Sequence, residues 1–227
     1  MIRAMNEQLD QYRKEIDAID ERIIALIKQR VGVVAKVGEL KREHAPHVFP
    51  IRPSREARMI RCIAKEFAGS EFSPAAAAQI WRIIIGASTA TEAELSISTL
   101  PDLCGLAREY FSAAARICAQ TDVNLVIADV AEGRAAIGVV PRASDWWQPL
   151  LRMKNPPKVF ACLPFALTGN QTAEALAISY VEPEDSGDDI SLYATDTGMV
   201  EADGFATLAN AQFLGAYARP FTIDTSL

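Results

Sequence analysis

The sequence is poor in the residues that metal and redox chemistry need: two histidines and four cysteines in 227 residues. Cys62, Cys104, Cys118 and Cys162 are scattered with no C-x-x-C pair. His44 and His47 fall in a proline-containing connector without a cysteine or carboxylate cluster beside them. That spacing argues against a zinc motif and predicts free thiols in a reducing compartment. Long apolar runs are missing too. Nothing approaches the ~20 apolar residues of a spanning helix, and the N-terminus, MIRAMNEQLDQYRKEID, lacks the apolar core of a signal peptide. The expectation is a cytoplasmic protein with no membrane partner. Positive charge is also short: the net charge is −6 and the pI about 5.1. Nucleic acid is thereby disfavoured as a general partner, and an anionic ligand would need a local basic pocket. Apolar residues are plentiful, half of the chain, enough for a substantial core.

Residues 5–43 contain no proline and only two glycines, Gly32 and Gly38. Their apolar residues recur as heptads: Leu9, Tyr12, Ile16, Ile19, Ile23, Leu26, then Val33, Val37 and Leu40. The pattern predicts one helix of roughly 35 residues, ~50 Å long at ~1.5 Å per residue. Such a helix must bury its stripe on other helices or on another chain. Pro46, Pro50 and Pro53 punctuate the connector that follows. Pro53 opens a second helix, roughly 54–69, closed by Gly69 and Ser70. Ser73-Pro74 opens a third, running to about Leu95 with Ile80, Trp81, Ile84 and Ile85 on its apolar side. After Leu100 short strand-like runs appear at 136–140, 158–162, 175–180 and 190–194, with turn residues such as Ser186-Gly187-Asp188-Asp189. The fold class expected is a three-helix all-α segment (1–97) followed by a small α/β domain (101–227), with the boundary near 96–101. No internal repeat or low-complexity segment stands out.

Helix 1 carries a charge where its seam should be apolar. Continuing from Leu9, Ile16 and Ile23, the next core position is Arg30. A cation there needs an anionic partner or costs several kcal/mol. Lys41, eleven residues on, lies only ~20° around the helix and about 16 Å along it. Long side chains at these two positions leave room for a small dianion. The competing reading is a buried carboxylate partner for Arg30, or an Arg30 that snorkels to the rim. Arg13 is ~25 Å from Arg30, so one small ligand cannot touch both on one chain. It is either a solvated seam-edge residue or part of a site on a second, antiparallel chain. Arg55-Glu56 opens helix 2, and Ser88 and Glu92 share a face of helix 3 at i and i+4.

Together these residues resemble the helical chorismate mutase family. The resemblance runs through LDQYRKEIDAIDERIIALIKQR, VAKVGELK, REARMI and IIIGASTATE, about residues 8–95. Its spacing, Leu9-x3-Arg13-x2-Ile16-x2-Ile19-Asp20, then Arg30 with Lys41, then Arg55-Glu56, is specific. The resemblance implies an intertwined antiparallel homodimer that binds chorismate and uses no cofactor or metal. Arg13 resembles the arginine that reaches a substrate carboxylate across the dimer. Arg30 resembles the arginine that binds a carboxylate within its own subunit. Lys41 resembles the lysine that donates to the ether oxygen of the breaking C–O bond. Glu56 resembles the carboxylate that accepts from the substrate hydroxyl, with Arg55 a pocket neighbour. Ser88 resembles a polar residue near the ring carboxylate. Glu92 occupies the position opposite the lysine where the family has Gln or Glu, and it donates only when protonated. One departure is Arg52: the family usually has an acid four residues before Glu56. Arg52 is then either an extra cation at the pocket rim or a solvent-facing side chain.

In the second half, GRAAIGVVP (residues 133–141) is similar to the G-x-A-x-x-G-V-V-P strand of prephenate dehydratase domains. Phe213-Leu214-Gly215-Ala216-Tyr217 resembles the ending of the regulatory domain that follows them. The Thr-Arg-Phe catalytic strand has no counterpart, the nearest strand reading Ile190-Ser191-Leu192. The residues after position 100 are too few for a dehydratase plus regulator, so a degenerate, non-catalytic remnant is expected. Its role stays open between binding an aromatic amino acid, contacting a partner and stabilising the dimer. For the whole chain the leading reading is a chorismate mutase; the alternative is a non-enzymatic, metabolite-sensing regulatory dimer.

Overall fold

A computed structural model describes residues 2–44 and 51–223. The chain divides into two compact units, Met1–Val48 and Phe49–Leu227.

The first unit is a single helix, α1 (Ile2–His44). Lys41, Arg42 and His44 crowd its last turn, where the partial negative charge of the helix end favours cations. His44 is therefore helical, its Nδ1 3.2 Å from the Leu40 carbonyl, and not part of a connector. His47, Pro46 and Pro50 lie outside the described residues. The heptad residues are all exposed: Leu9, Ile16, Ile23, Leu26, Val33 and Leu40 stand 43–62% open. The least exposed described residues are Arg30, Val34, Gly38 and Lys41, one stripe at spacings of four, four and three.

The second unit begins with α2 (Pro53–Glu66) and α3 (Pro74–Glu92). Proline stands at the first turn of both, where a missing N–H costs nothing. Ser73 caps α3 by accepting from Ala76 N at 3.4 Å, and Gly69, at φ +74°, makes the turn after α2. The helices end three residues earlier than the sequence pattern suggests, because the chain turns at Phe67 and becomes extended at Ala93. Residues 96–99, expected at the boundary, form a strand of the sheet, β1 (Ser96–Thr99). There follow α4 (Cys104–Tyr110), β2 (Arg116–Ala119), α5 (Val123–Ala131) and β3 (Ile137–Pro141). The remaining strands are β4 (Lys158–Leu163), β5 (Ala166–Thr168), β6 (Ala175–Ser179), β7 (Asp189–Thr195), β8 (Gly198–Asp203), β9 (Gln212–Ala218) and β10 (Phe221–Ile223).

Eight strands make one mixed sheet in the order β2-β1-β3-β6-β4-β9-β7-β8, and β5 pairs with β10 separately. β2, β1 and β3 are parallel, joined by α4 and α5 as crossover helices, and β6 turns the sheet antiparallel. The central strands are apolar on both faces because both are covered. Alternation sends Val140, Leu176 and Ile178 into one core with Trp146 and Leu150. It sends Ile137, Val139, Ala175 and Ala177 into the other, with Phe111 and Phe160. Two glycines permit close approaches. At Gly215, φ +136°, a side chain would overlap the Val159 backbone where β9 meets β4. At Gly86 a side chain would overlap the Phe111 carbonyl, so α3 lies directly on the end of α4.

A third core joins α2 and α3 to the strands. Ala57, Ile60, Ala64 and Ile85 pack with Phe165, Ala218 and Ile223. Burying Ile60 alone is worth about 1.5–3 kcal/mol. Polar contacts reinforce it: Arg61 Nη2 donates to the carbonyls of Asp188 (2.7 Å) and Arg219 (3.0 Å), and its guanidinium stacks 5.3 Å from the Phe165 ring centroid. α2 and α3 thus belong to the packing of the α/β unit.

Candidate active site

The expected site residues fall on three helices. Arg30 and Lys41 sit on the less exposed stripe of α1. The helical rise puts their backbones about 16 Å apart. Arg13 is far along the same helix, exposed, and pairs with Asp10 at 2.9 Å. Arg55 is exposed at the first turn of α2, while Glu56 beside it is turned inward. On α3, Ser88 is buried and its hydroxyl donates to the Ile84 carbonyl at 2.7 Å; Glu92, one turn on, is half-buried. Arg30, Lys41, Ser88 and Glu92 are each engaged by another group.

Glu56 has a partner that the sequence reading did not anticipate. Arg82, on α3, donates through Nη1 to Glu56 Oε2 at 3.0 Å, and both side chains are nearly closed to solvent. The Tyr110 ring covers the guanidinium, 4.3 Å from its centroid. Burial pushes the Glu56 carboxyl above the usual range, and the charge and hydrogen bond of Arg82 oppose that rise. Burial likewise pushes the Tyr110 phenol up to about 12, so it stays neutral. The signal for Arg82 was available: it is the single cation within Ile80-Trp81-Arg82-Ile83-Ile84-Ile85. Ile80, expected on the buried side, is exposed, as is Ile83. The buried side is centred instead on Ala78, Ile85 and Thr89, the residues that meet α2 and α4.

Arg52 meets the acidic loop after β6. Arg52 Nη2 donates to both carboxylate oxygens of Glu184, at 3.1 and 3.3 Å, and remains exposed. Ser54 donates to the Glu184 carbonyl and Arg58 to that of Asp185. Arg52, Arg58 and Arg61 therefore form a basic edge of α2 that docks on residues 184–188.

The comparison with known families decides what the helical segment is similar to. Residues 12–93 match the family model for chorismate mutase type II. The resemblance read from the sequence is borne out over that segment, which spans α2, α3 and most of α1. The chain is 31% identical over 140 residues to a bifunctional chorismate mutase/prephenate dehydratase of Aquifex aeolicus (strain VF5). That match takes in 60% of this chain and 39% of the relative, so the chain spans about two-fifths of the relative's length. A match of this length cannot be confined to the mutase segment, and it reaches into the α/β region. No solved structure matches. Among the described residues, no helix is long and apolar enough to cross a membrane.

Proposed function

We propose that the chain is a chorismate mutase, acting in the cytoplasm as a homodimer. The observation that carries this reading is the match over residues 12–93, which takes in Arg13, Arg30, Lys41, Arg55, Glu56, Ser88 and Glu92 together. The reaction suits that inventory. Chorismate rearranges unimolecularly: its ether C–O bond breaks as a new C–C bond forms, and no proton, nucleophile or cofactor takes part. The protein must hold the dianion in its reactive fold, the work of Arg30 and of Arg13 from a second chain, with Arg55 and Ser88 lining the pocket. It must also place polar groups at the ether oxygen, where negative charge grows: Lys41 as donor, with Glu92 opposite it. Glu56 accepts from the substrate hydroxyl. The dimer reading is supported by the exposed heptad stripe of α1, which water tolerates poorly unless a second copy covers it.

The test is chorismate absorbance with purified full-length protein, prephenate being the expected product. If Arg13 serves the partner's site, Arg13→Ala and Arg30→Ala proteins are each inactive, and refolding them together restores a fraction of the sites. Heterodimers without recovered activity would rule out a shared site. The α/β unit, lacking the Thr-Arg-Phe strand, should form no phenylpyruvate from prephenate. A second reading, a metabolite-sensing regulator without turnover, draws support from the commitment of Glu56 to Arg82. Chorismate binding without turnover would select it.

A further inference from the structure

A cavity of about 350 Å³ lies inside the second unit, where α2 and α3 meet α4 and the β5–β10 pair. It is separate from the face of α3 that carries Ser88 and Glu92, and none of the residues assigned to chorismate lines it. Ile60, Leu106, Phe165 and Ile223 form its apolar walls. Arg82, whose side chain is only 10% exposed, is among its polar lining residues. The ion pair with Glu56 engages one of five guanidinium N–H groups. Gln79 and Gln171 add amide groups, and the Gln171 oxygen accepts from Thr168 N and Oγ1.

We propose that this cavity binds a small monocarboxylate with an apolar or aromatic body, its carboxylate on Arg82 and its body against Leu106 and Phe165. Charge selects an anion because the most deeply buried ionic group on the wall is a cation. Charge also limits the ligand to one negative group. Glu56 already occupies one edge of Arg82, and Glu109 stands exposed among the lining residues, so a dianion such as chorismate meets repulsion there. Size selects a compact molecule: about 350 Å³ lies at the small end of the ~300–1,000 Å³ range of ligand pockets. Occupancy competes with Glu56 for the same guanidinium, so a ligand in the α/β unit reaches a residue of the mutase pocket. That last step, unlike the binding itself, rests on the function proposed above.

Calorimetry on the full-length protein tests the binding with 3-phenylpropanoate and its amine counterpart, 3-phenylpropan-1-amine. The acid should bind saturably, one per chain, and the amine should not. Gln79→Glu sets a like charge at the exposed mouth, away from the core, and should weaken the acid about tenfold or more. Arg30→Ala, which removes the proposed chorismate clamp, should leave acid binding unchanged. No saturable binding, equal binding of the amine, indifference to Gln79→Glu, or loss of binding in Arg30→Ala would each overturn the proposal. In the turnover assay the acid should change kcat/KM of the wild type and not of Gln79→Glu. A protein that binds the acid in this pattern but never converts chorismate would refute the mutase reading and leave the cavity assignment standing.

Discussion

The two units of this chain solve the same problem in opposite ways. The α/β unit closes its apolar surface on itself: Val140, Val159, Leu176, Ile178 and Leu192 are wholly buried among neighbours from the same unit. α1 has as regular an apolar pattern, yet Leu9, Ile16, Ile23 and Leu26 remain open to solvent along the single chain. A heptad repeat determines which face of a helix must be covered and says nothing about which chain covers it. A sheet with crossover helices supplies its own cover. The difference separates apolar surface that the chain covers itself from apolar surface left open along α1.

The sharpest way to break that comparison is to charge the α1 stripe. If α1 pairs with a second copy as proposed, Ile16→Glu with Ile23→Glu should abolish that dimer and chorismate turnover, read by light scattering and the absorbance assay. The sheet, which shares none of those residues, should keep its cooperative melt. A variant that stays dimeric and active would show that α1 is covered by something else. Next in size is Gly215→Ala in the self-contained unit. The new side chain overlaps the Val159 backbone, so β9 must shift off β4. A loss of about 4 kcal/mol or more is expected, which at roughly 2–4 °C per kcal/mol lowers the melting temperature by about 10 °C. An unchanged melting temperature would contradict the close approach.

A third test concerns chemistry at α3. Glu92→Ala should cost about a hundredfold in kcat/KM, the usual loss of one transition-state donor (~3 kcal/mol). Glu92→Gln keeps nearly the same shape and offers an amide donor, so it should stay active. Full activity in Glu92→Ala would remove Glu92 from the ether oxygen.

The smallest effect expected is at Asp129, on α5 and bonded to Ser98 of β1. Burial alone would raise its carboxyl, but hydrogen bonds from Ser98 (2.6 Å), Arg134 (2.7 Å) and Gln120 (2.7 Å) outweigh that and hold it below the usual range. A depressed carboxyl stabilises the fold above its unfolded pKa, near 4, and the contribution fades as pH falls through the folded value. Asp129→Asn should therefore cost about 2 kcal/mol at neutral pH. Denaturant titrations should show the gap narrowing below about pH 4. A gap that stays constant into acid would mean that packing, not charge, explains the loss.

Much of this molecule could be read before any coordinates. Proline and serine fixed the starts of α2 and α3 because their backbone preferences are local. The runs at 137–141, 158–163, 175–179 and 189–195 were legible because strands buried on both faces are continuously apolar. β1 and β2 were not, since Ser96-Ile97-Ser98-Thr99 and Arg116-Ile117-Cys118-Ala119 carry little apolar signal, and their pairing rather than their composition makes them strands. The cations of the proposed site stood out as charges on an apolar periodicity. What sequence alone determined was thus the starts of α2 and α3, the strands buried on both faces and the residues out of keeping with an apolar face.

Only the tertiary structure decided which charges meet. Arg82 and Glu56 are separated by 26 positions, and Arg52 and Glu184 by 132, so no local spacing predicts either pair. It also decided that α2 and α3 pack on the α/β unit through Ile60, Ile85, Phe165 and Ile223. A cavity with a nearly buried arginine in its wall exists only because those helices and strands come together. Local propensity acts over a few residues, whereas burial and ion pairing depend on distances that the folded chain alone sets.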